Sequence, residues 1–199
     1  MLATFIAGSI ATLTVDSERK AQNTVEAMLA TYESSKSYSD TGNLTCGDSQ
    51  ISFITRFKRP GKFYFEFTSK NYIEGRHVLW CPGLTDAKSS GGRYMKTFTW
   101  DSINRTIERN TLGLQVAGFT GISLRTACTV SNMILPKEIG ATQFAGIVDM
   151  KLEKPDTIRG IACDVVFSEK SQTRLWIGHK SHILMRTWLK LNDKSLITE

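Results

Sequence analysis

Apolar residues recur at every second position through a central stretch of the N-terminal half. Ile51, Phe53, Thr55 and Phe57 share one face of "QISFITRFK", and Phe63, Phe65 and Phe67 alternate with Tyr64 and Glu66 in "FYFEF". A period of two marks a strand with one apolar face, and the short turn "RPGK" between these runs joins them as antiparallel neighbours. Arg56, Lys58 and Glu66 fall on the opposite faces, away from the phenylalanines. Similar strand signals occur before the hairpin in "SYSDTGNLTC" and after it in "HVLWC", "RYMKTFTW" and "RTIERN".

Two stretches break this rhythm. From Asp16 or Ser17, which can cap a helix, Ala21, Val25, Met28, Leu29 and Tyr32 recur at helical spacing, predicting an amphipathic helix over about residues 17–34. Residues 111–135 are apolar and small, carry Arg125 as their single charge, and are interrupted by Gly113, Gly118 and Gly121. They predict one or two short helices, with Ile122 to Met133 as the preferred span and Pro136 closing it. Each glycine lowers helix stability by about 1 kcal/mol relative to alanine, which suits a mobile element. Strands resume in "AGIVDMKLEK", "IACDVVFSE", "TRLWIG" and "ILMRTWLKL", with turns at Pro155-Asp156 and "HKSH". The order helix, meander, helical insert, meander predicts an α+β fold: one curved antiparallel sheet whose apolar concave face is covered by helices.

Composition changes little in this picture. A chain of 199 residues with 41% hydrophobic and 22% charged residues is long and apolar enough to fold around a core, which excludes bulk disorder. The net charge of +6 would suit nucleic acid, anionic lipid or an acidic partner, yet Lys and Arg are spread along every segment without a clustered run. A base-stacking sheet would mix exposed rings with cations on one face. Here alternation separates them, so nucleic acid is not an expected partner.

The stretch Leu2 to Val15 has no charge and is too short to span a bilayer, which takes about 20 apolar residues. It has the length of a signal-peptide core, with Ser9-Ile10-Ala11 as a small-residue cleavage site, but it lacks the basic start. An atypical export signal, a signal trimmed at its start and a buried N-terminal segment all fit. The favoured organisation is a signal-like or trimmed leader over residues 1–16 and a single domain over 17–199, exported and without an integral membrane span. Cys46, Cys81, Cys128 and Cys163 are too widely spaced for zinc or redox motifs. They are open to two readings: disulfides in an oxidising compartment, or buried small hydrophobes.

Chemistry-bearing motifs are scarce. "GFTG" and "SSGGR" lack the spacing of a phosphate-binding loop. His77, His179 and His182 are the only histidines, and His179-Lys180-Ser181-His182 reads as a turn rather than a metal clip. No serine or cysteine has a nucleophile motif around it. The expectation is a protein that is not an enzyme and uses neither metal nor cofactor.

The order of "AMLATYESSKSYSDTGNLT", "FKRPGKFYFEF", "HVLW" and "LWIGHKSHILMR" resembles the LolA-like superfamily of periplasmic lipoprotein carriers and the outer-membrane receptor LolB, and within it most resembles an uncharacterised branch described as periplasmic or outer-membrane lipoprotein-sorting proteins. The resemblance covers about residues 20–191 and implies an unclosed half β-barrel of some nine or ten strands, with an N-terminal helix and a helical lid over an apolar cavity that holds acyl chains. In the carriers an arginine before proline bonds lid backbone and keeps the empty cavity closed. By match of the Lys58-Arg59-Pro60 turn, the resemblance makes Arg59 the latch. It makes Phe63, Phe65 and Phe67 the lining by position and parity; Phe53, Phe57 and Trp80 are expected to extend that lining, and Leu114, Phe119, Ile122 and Leu124 to form the lid. The longer loop "CPGLTDAKSSGG" departs from the family pattern.

Two functions follow as expectations. The first is an envelope protein, periplasmic or otherwise exported, that holds a lipid, fatty acid or acylated lipoprotein. The second is a periplasmic sensor or scaffold that uses the same fold to bind an envelope protein partner. The phenylalanines read either as a closed core or as a cavity lining, and Arg59 either as a solvent-facing turn residue or as the latch.

Overall fold

In the computed structural model, the described backbone comprises residues 6–83, 88–89, 92–93, 96–101, 107–139, 144 and 147–199, with side chains over 16–83, 99–100, 111–139, 144 and 147–199. The elements in chain order are helix α1 (Ile6–Ser34) and strands β1 (Ser37–Cys46), β2 (Ser49–Lys58), β3 (Lys62–Lys70) and β4 (Gly75–Cys81). Next come β5 (Lys88–Ser89), β6 (Gly92–Arg93), β7 (Lys96–Asp101), β8 (Ile107–Thr111), and helices α2 (Leu112–Ile122), α3 (Thr126–Ile134) and α4 (Pro136–Ile139). The chain finishes with β9 (Met150–Leu152), β10 (Asp156–Ile158), β11 (Ile161–Ser168), β12 (Thr173–Gly178), β13 (Leu184–Leu191) and β14 (Lys194–Thr198).

The main sheet is antiparallel and follows the order β10-β11-β12-β13-β14-β1-β2-β3-β4-β7-β8, with β9 also pairing β11. Among the described residues this path does not close on itself, and β5 and β6 form a separate pair. The chain resolves into two compact units, residues 1–31 with 144–195 and residues 32–143 with 196–199.

In the second unit the β2–β3 hairpin has the register the alternation predicts: Phe57 faces Phe63, Thr55 faces Phe65 and Phe53 faces Phe67. Phe63, Phe65 and Phe67 are essentially inaccessible, and Ile51, Phe53, Thr55 and Phe57 are buried beside them. β4 adds His77, Leu79 and Cys81 to the same face, and β1 adds Leu44 and Cys46. Gly42 of β1 is required here: a Cβ at that position would lie 2.3 Å from Cζ of Phe53 and 2.9 Å from the Glu199 carbonyl oxygen. The last strand closes against it, since Asn43 and Glu199 exchange both backbone hydrogen bonds, at 2.7 and 2.9 Å.

The helical insert differs from the expected span. α2 starts at Leu112, ten residues before the start of the preferred span, and α3 starts after a turn in which Leu124 and Arg125 both have positive φ, 48° and 73°. Pro136 does not end the helical region; it opens α4, where a missing N–H is tolerated. Gly113 accounts for the early start of packing, because a Cβ there would meet the Glu138 carbonyl oxygen at 3.2 Å, so the small residue lets α4 approach α2 closely. Gly118 and Gly121 face open space.

In the first unit, β11, β12 and β13 pair in sequence. Val165, Leu175 and Ile177 are buried, while Arg174 packs over Phe167, Trp176 and Trp188 at 4.9–5.9 Å and forms a two-point ion pair with Glu153. α1 buries Ala21, Val25, Met28 and Tyr32, the stripe read from the sequence, but it begins at Ile6 rather than near residue 17. Helical backbone therefore runs on into the stretch for which a leader was one of the readings. The short strands β10 and β14 were not anticipated, nor was the β5–β6 pair within the stretch read as a loop; Asp156, read as part of a turn, opens β10.

Candidate functional site

Arg59 stands in the turn between β2 and β3. Its backbone N–H donates to the Lys36 carbonyl at 2.9 Å, which fixes the turn beside the junction of α1 and β1. The Arg59–Pro60 peptide is cis. From there the half-buried guanidinium reaches three backbone carbonyls. Nε donates to Ser35 at 3.0 Å, Nη2 donates to Ile134 at 3.0 Å, and Nη2 also donates to Glu33. Glu33 and Ser35 lie at the C-terminal end of α1, and Ile134 is the last residue of α3.

The last carbonyls of a helix have no partner within it, and they lie at the negative end of its dipole. Neither α1 nor α3 carries a basic residue in its last turn. Arg59 supplies the donors and the positive charge to both ends at once. The planar guanidinium, with five fixed N–H donors, suits this task better than an ammonium. Its Cζ sits 5.2 Å from the centroid of the Phe57 ring, so its remaining face rests on an aromatic surface.

Next to this latch-like contact the phenylalanine face meets α2. Phe119 is buried and packs edge-on against Phe65 and Phe67, with centroids 6.3 and 6.0 Å apart. Phe53 stacks on Phe65 at 6.2 Å, and Phe67 stacks on His77 at 4.7 Å. The rings touch one another directly, and Phe119 occupies the space between sheet and helix. Edge-to-face and offset pairs of this kind are each worth about 0.5–1.5 kcal/mol beyond area burial.

The other proposed residues are placed differently. Trp80 does not share the phenylalanine face: it is 48% exposed and lies opposite Tyr64, because β4 turns His77, Leu79 and Cys81 inward and leaves Arg76, Val78 and Trp80 outside. Leu114 is 59% exposed, on the outer side of α2, where Leu112, Gln115, Val116 and Phe119 form the buried stripe. Ile122 ends α2 half-buried, and Leu124 lies in the left-handed turn after it rather than in a helix. Of the four lid candidates, Phe119 is the aromatic one, and it packs on Phe65 and Phe67.

Polar groups on the inner face were not singled out by the sequence reading. Tyr38 donates its hydroxyl to Asp40 Oδ2 at 2.8 Å, and the Thr55 N–H donates to Asp40 Oδ1 at 3.1 Å. Burial pushes the Asp40 carboxyl above the ordinary aspartate range despite these bonds, and burial likewise pushes the Tyr38 phenol upward. Tyr32 stands over Tyr38 with centroids 5.3 Å apart. Parity carried the signal for this row, since Tyr38, Asp40 and Gly42 alternate in step with Leu44 and Cys46. In α3 the Asn132 Oδ1 is buried and has no hydrogen-bond partner among the described residues.

A depression of about 250 Å³ lies at the turn end of the hairpin, lined by Arg56, Phe57, Lys58, Lys62, Phe63, Tyr64, Trp80 and Cys81. All four cysteines are free and buried; burial raises the thiols of Cys81, Cys128 and Cys163. Among the described residues no group of three or more His, Cys, Asp and Glu side chains is arranged to hold a metal ion. No described helix is long and apolar enough to cross a membrane.

No protein-family model matches the sequence, and no curated protein does. Among solved structures, the chain is similar to the crystal structure of LprF from Mycobacterium bovis, with a TM-score of 0.51 and 9% sequence identity over 90% of each chain. At that identity the likeness concerns the fold. The chain has a LolA-like fold: an N-terminal helix, a large unclosed antiparallel sheet and a few short helices.

Proposed function

We infer that the protein is a non-enzymatic binding protein of the bacterial envelope that takes acyl chains between the phenylalanine face of β2–β3 and a lid formed by α2 and α3. The observation that carries this reading is the bridge from Arg59 to the C-terminal carbonyls of α1 and α3, beside a ring cluster that Phe119 completes. On this reading α2 and α3 form a closed lid, and Phe119 stands where a chain would lie. An entering chain displaces Phe119 from Phe65 and Phe67 and draws the end of α3 from Arg59. Each methylene buried contributes about 0.8 kcal/mol, so a chain of about 14 carbons offsets both losses without directional contacts. Two features favour a lid that opens: the exposed glycines of α2 and the unpartnered Asn132 carbonyl in α3.

Native mass spectrometry of protein purified from its own envelope, followed by lipid extraction, tests the reading directly. Recovery of an acylated species supports it. A protein that stays empty, and that also fails to bind a fluorescent fatty-acid probe in titration, overturns it.

A further inference from the structure

The outer face of the same hairpin carries a surface that acyl-chain binding does not use. Arg56, Tyr64 and Trp80 stand directly opposite one another across β2, β3 and β4, and Lys58 faces Lys62 one step closer to the turn. These five residues line the depression of about 250 Å³, which also reaches the inner-face row of Phe57, Phe63 and Cys81. The depression is therefore a rim, with cations and an exposed tryptophan on one side and the buried phenylalanines on the other.

None of the described residues that line it is acidic. The nearby carboxylate, Glu66, is already held by Arg76 through two bonds of 2.6 and 2.8 Å and accepts the Tyr64 hydroxyl, which keeps its carboxyl below the usual range. Arg56, Lys58 and Lys62 form no salt bridge with a described carboxylate. Three cations around a half-exposed indole match the two features that hold proteins at a bilayer surface. Tryptophan lodges at headgroup level, and Lys or Arg beside it attract anionic lipid. A protein partner would need roughly 800 Å² of complementary surface, whereas this site offers one headgroup-sized hollow among dispersed charges.

We propose that the rim formed by Arg56, Lys58, Lys62, Tyr64 and Trp80 docks the protein on anionic phospholipid headgroups of a bilayer. Lys58 and Lys62 flank the Arg59 turn on either side, so docking places the latch at the lipid surface. Membrane docking and acyl-chain binding are separate properties and are read separately below.

Flotation with vesicles of phosphatidylcholine alone, and of phosphatidylcholine mixed with phosphatidylglycerol, tests the proposal. The protein is expected to float with the mixed vesicles and not with the neutral ones. Binding should fall steeply between about 0.1 M and about 1 M salt, where screening shortens from about 10 Å to about 3 Å. Lys58→Gln and Lys62→Gln are each expected to weaken binding roughly fivefold, the equivalent of about 1 kcal/mol per basic residue. Trp80→Ala is expected to weaken it further while leaving fatty-acid probe binding unchanged. All three positions are exposed, so a thermal midpoint equal to that of the parent is the check on folding. Equal binding to both vesicle types, or variants that bind mixed vesicles like the parent, would overturn the proposal. So would inorganic phosphate that saturates the site and abolishes flotation at millimolar concentration, which would assign the rim to free phosphate. Loss of probe binding with vesicle binding intact would instead count against the acyl-chain reading alone.

Discussion

The guanidinium of Arg59 donates to the carbonyl oxygen of Ile134 at 3.0 Å, joining residues 75 apart in sequence. The same side chain bonds Ser35 and Glu33, so one turn residue ties the ends of two helices. Arg59→Leu removes these donors and leaves three helix-terminal carbonyls to find water. Limited proteolysis is expected to cut residues 111–135 faster in the variant, and the fatty-acid probe should load more readily. Arg59→Lys, which offers a point charge and no fork, should fall between the two. If proteolysis and probe binding both match the parent, the latch assignment is wrong.

Gly118 is exposed in α2 and a Cβ there meets nothing within 4 Å. Gly118→Ala should therefore raise stability by about 0.5–1 kcal/mol through helix propensity alone. Because the proposed lid must loosen to admit a chain, the variant should also take up the probe more slowly in stopped-flow mixing. A higher thermal midpoint with unchanged uptake would separate helix strength from access.

Gly42 offers the opposite case. Alanine there would place its Cβ 2.3 Å from Phe53 and 2.9 Å from the Glu199 backbone, so ring or strand must shift. Overpacking of this kind costs about 1–3 kcal/mol. Urea denaturation of Gly42→Ala is expected to give a lower midpoint with an unchanged slope.

Asp40 predicts a pH dependence of definite sign. Burial raises its carboxyl in the folded protein above the value it has in an unfolded chain. The folded state thus holds a proton more tightly than the unfolded state, and the stability linked to that proton is present in acid and lost as pH rises through the folded value. Asp40→Asn carries no such titration. Chemical denaturation across the mildly acidic range should show the parent losing stability relative to Asp40→Asn as pH increases. A difference between the two that does not vary with pH would contradict the assignment.

Much of the sheet was legible in the sequence because alternation is a local signal. Phe63, Phe65 and Phe67 announce their common face by spacing alone, and the short turn fixes their partner strand. Trp80 shows where that reasoning was not carried through: it was expected in the cavity lining, yet the parity of His77, Leu79 and Cys81 assigns it to the outer face. The helical insert was hard to place for the opposite reason. Nearly every residue of α2 is apolar or small, so the stripe of Leu112, Val116 and Phe119 does not stand out, and tertiary packing decides which side is buried. The bonds from Arg59 to α1 and α3 depend on chain segments far apart in sequence, and no local pattern encodes such distances.

The β2–β3 hairpin carries both proposed sites on opposite sides of one sheet layer: the phenylalanines on one parity, and Arg56, Lys58, Lys62 and Tyr64 on the other. A single-residue slip of one strand against the other would exchange the two sets, turning the cations inward and the rings to water. Inserting one residue into the Arg59-Pro60-Gly61 turn should thus do more harm than substituting any one residue there, since it would misassign the faces of the whole hairpin. The turn is in this sense a frame marker, holding every side chain of two strands in its correct compartment.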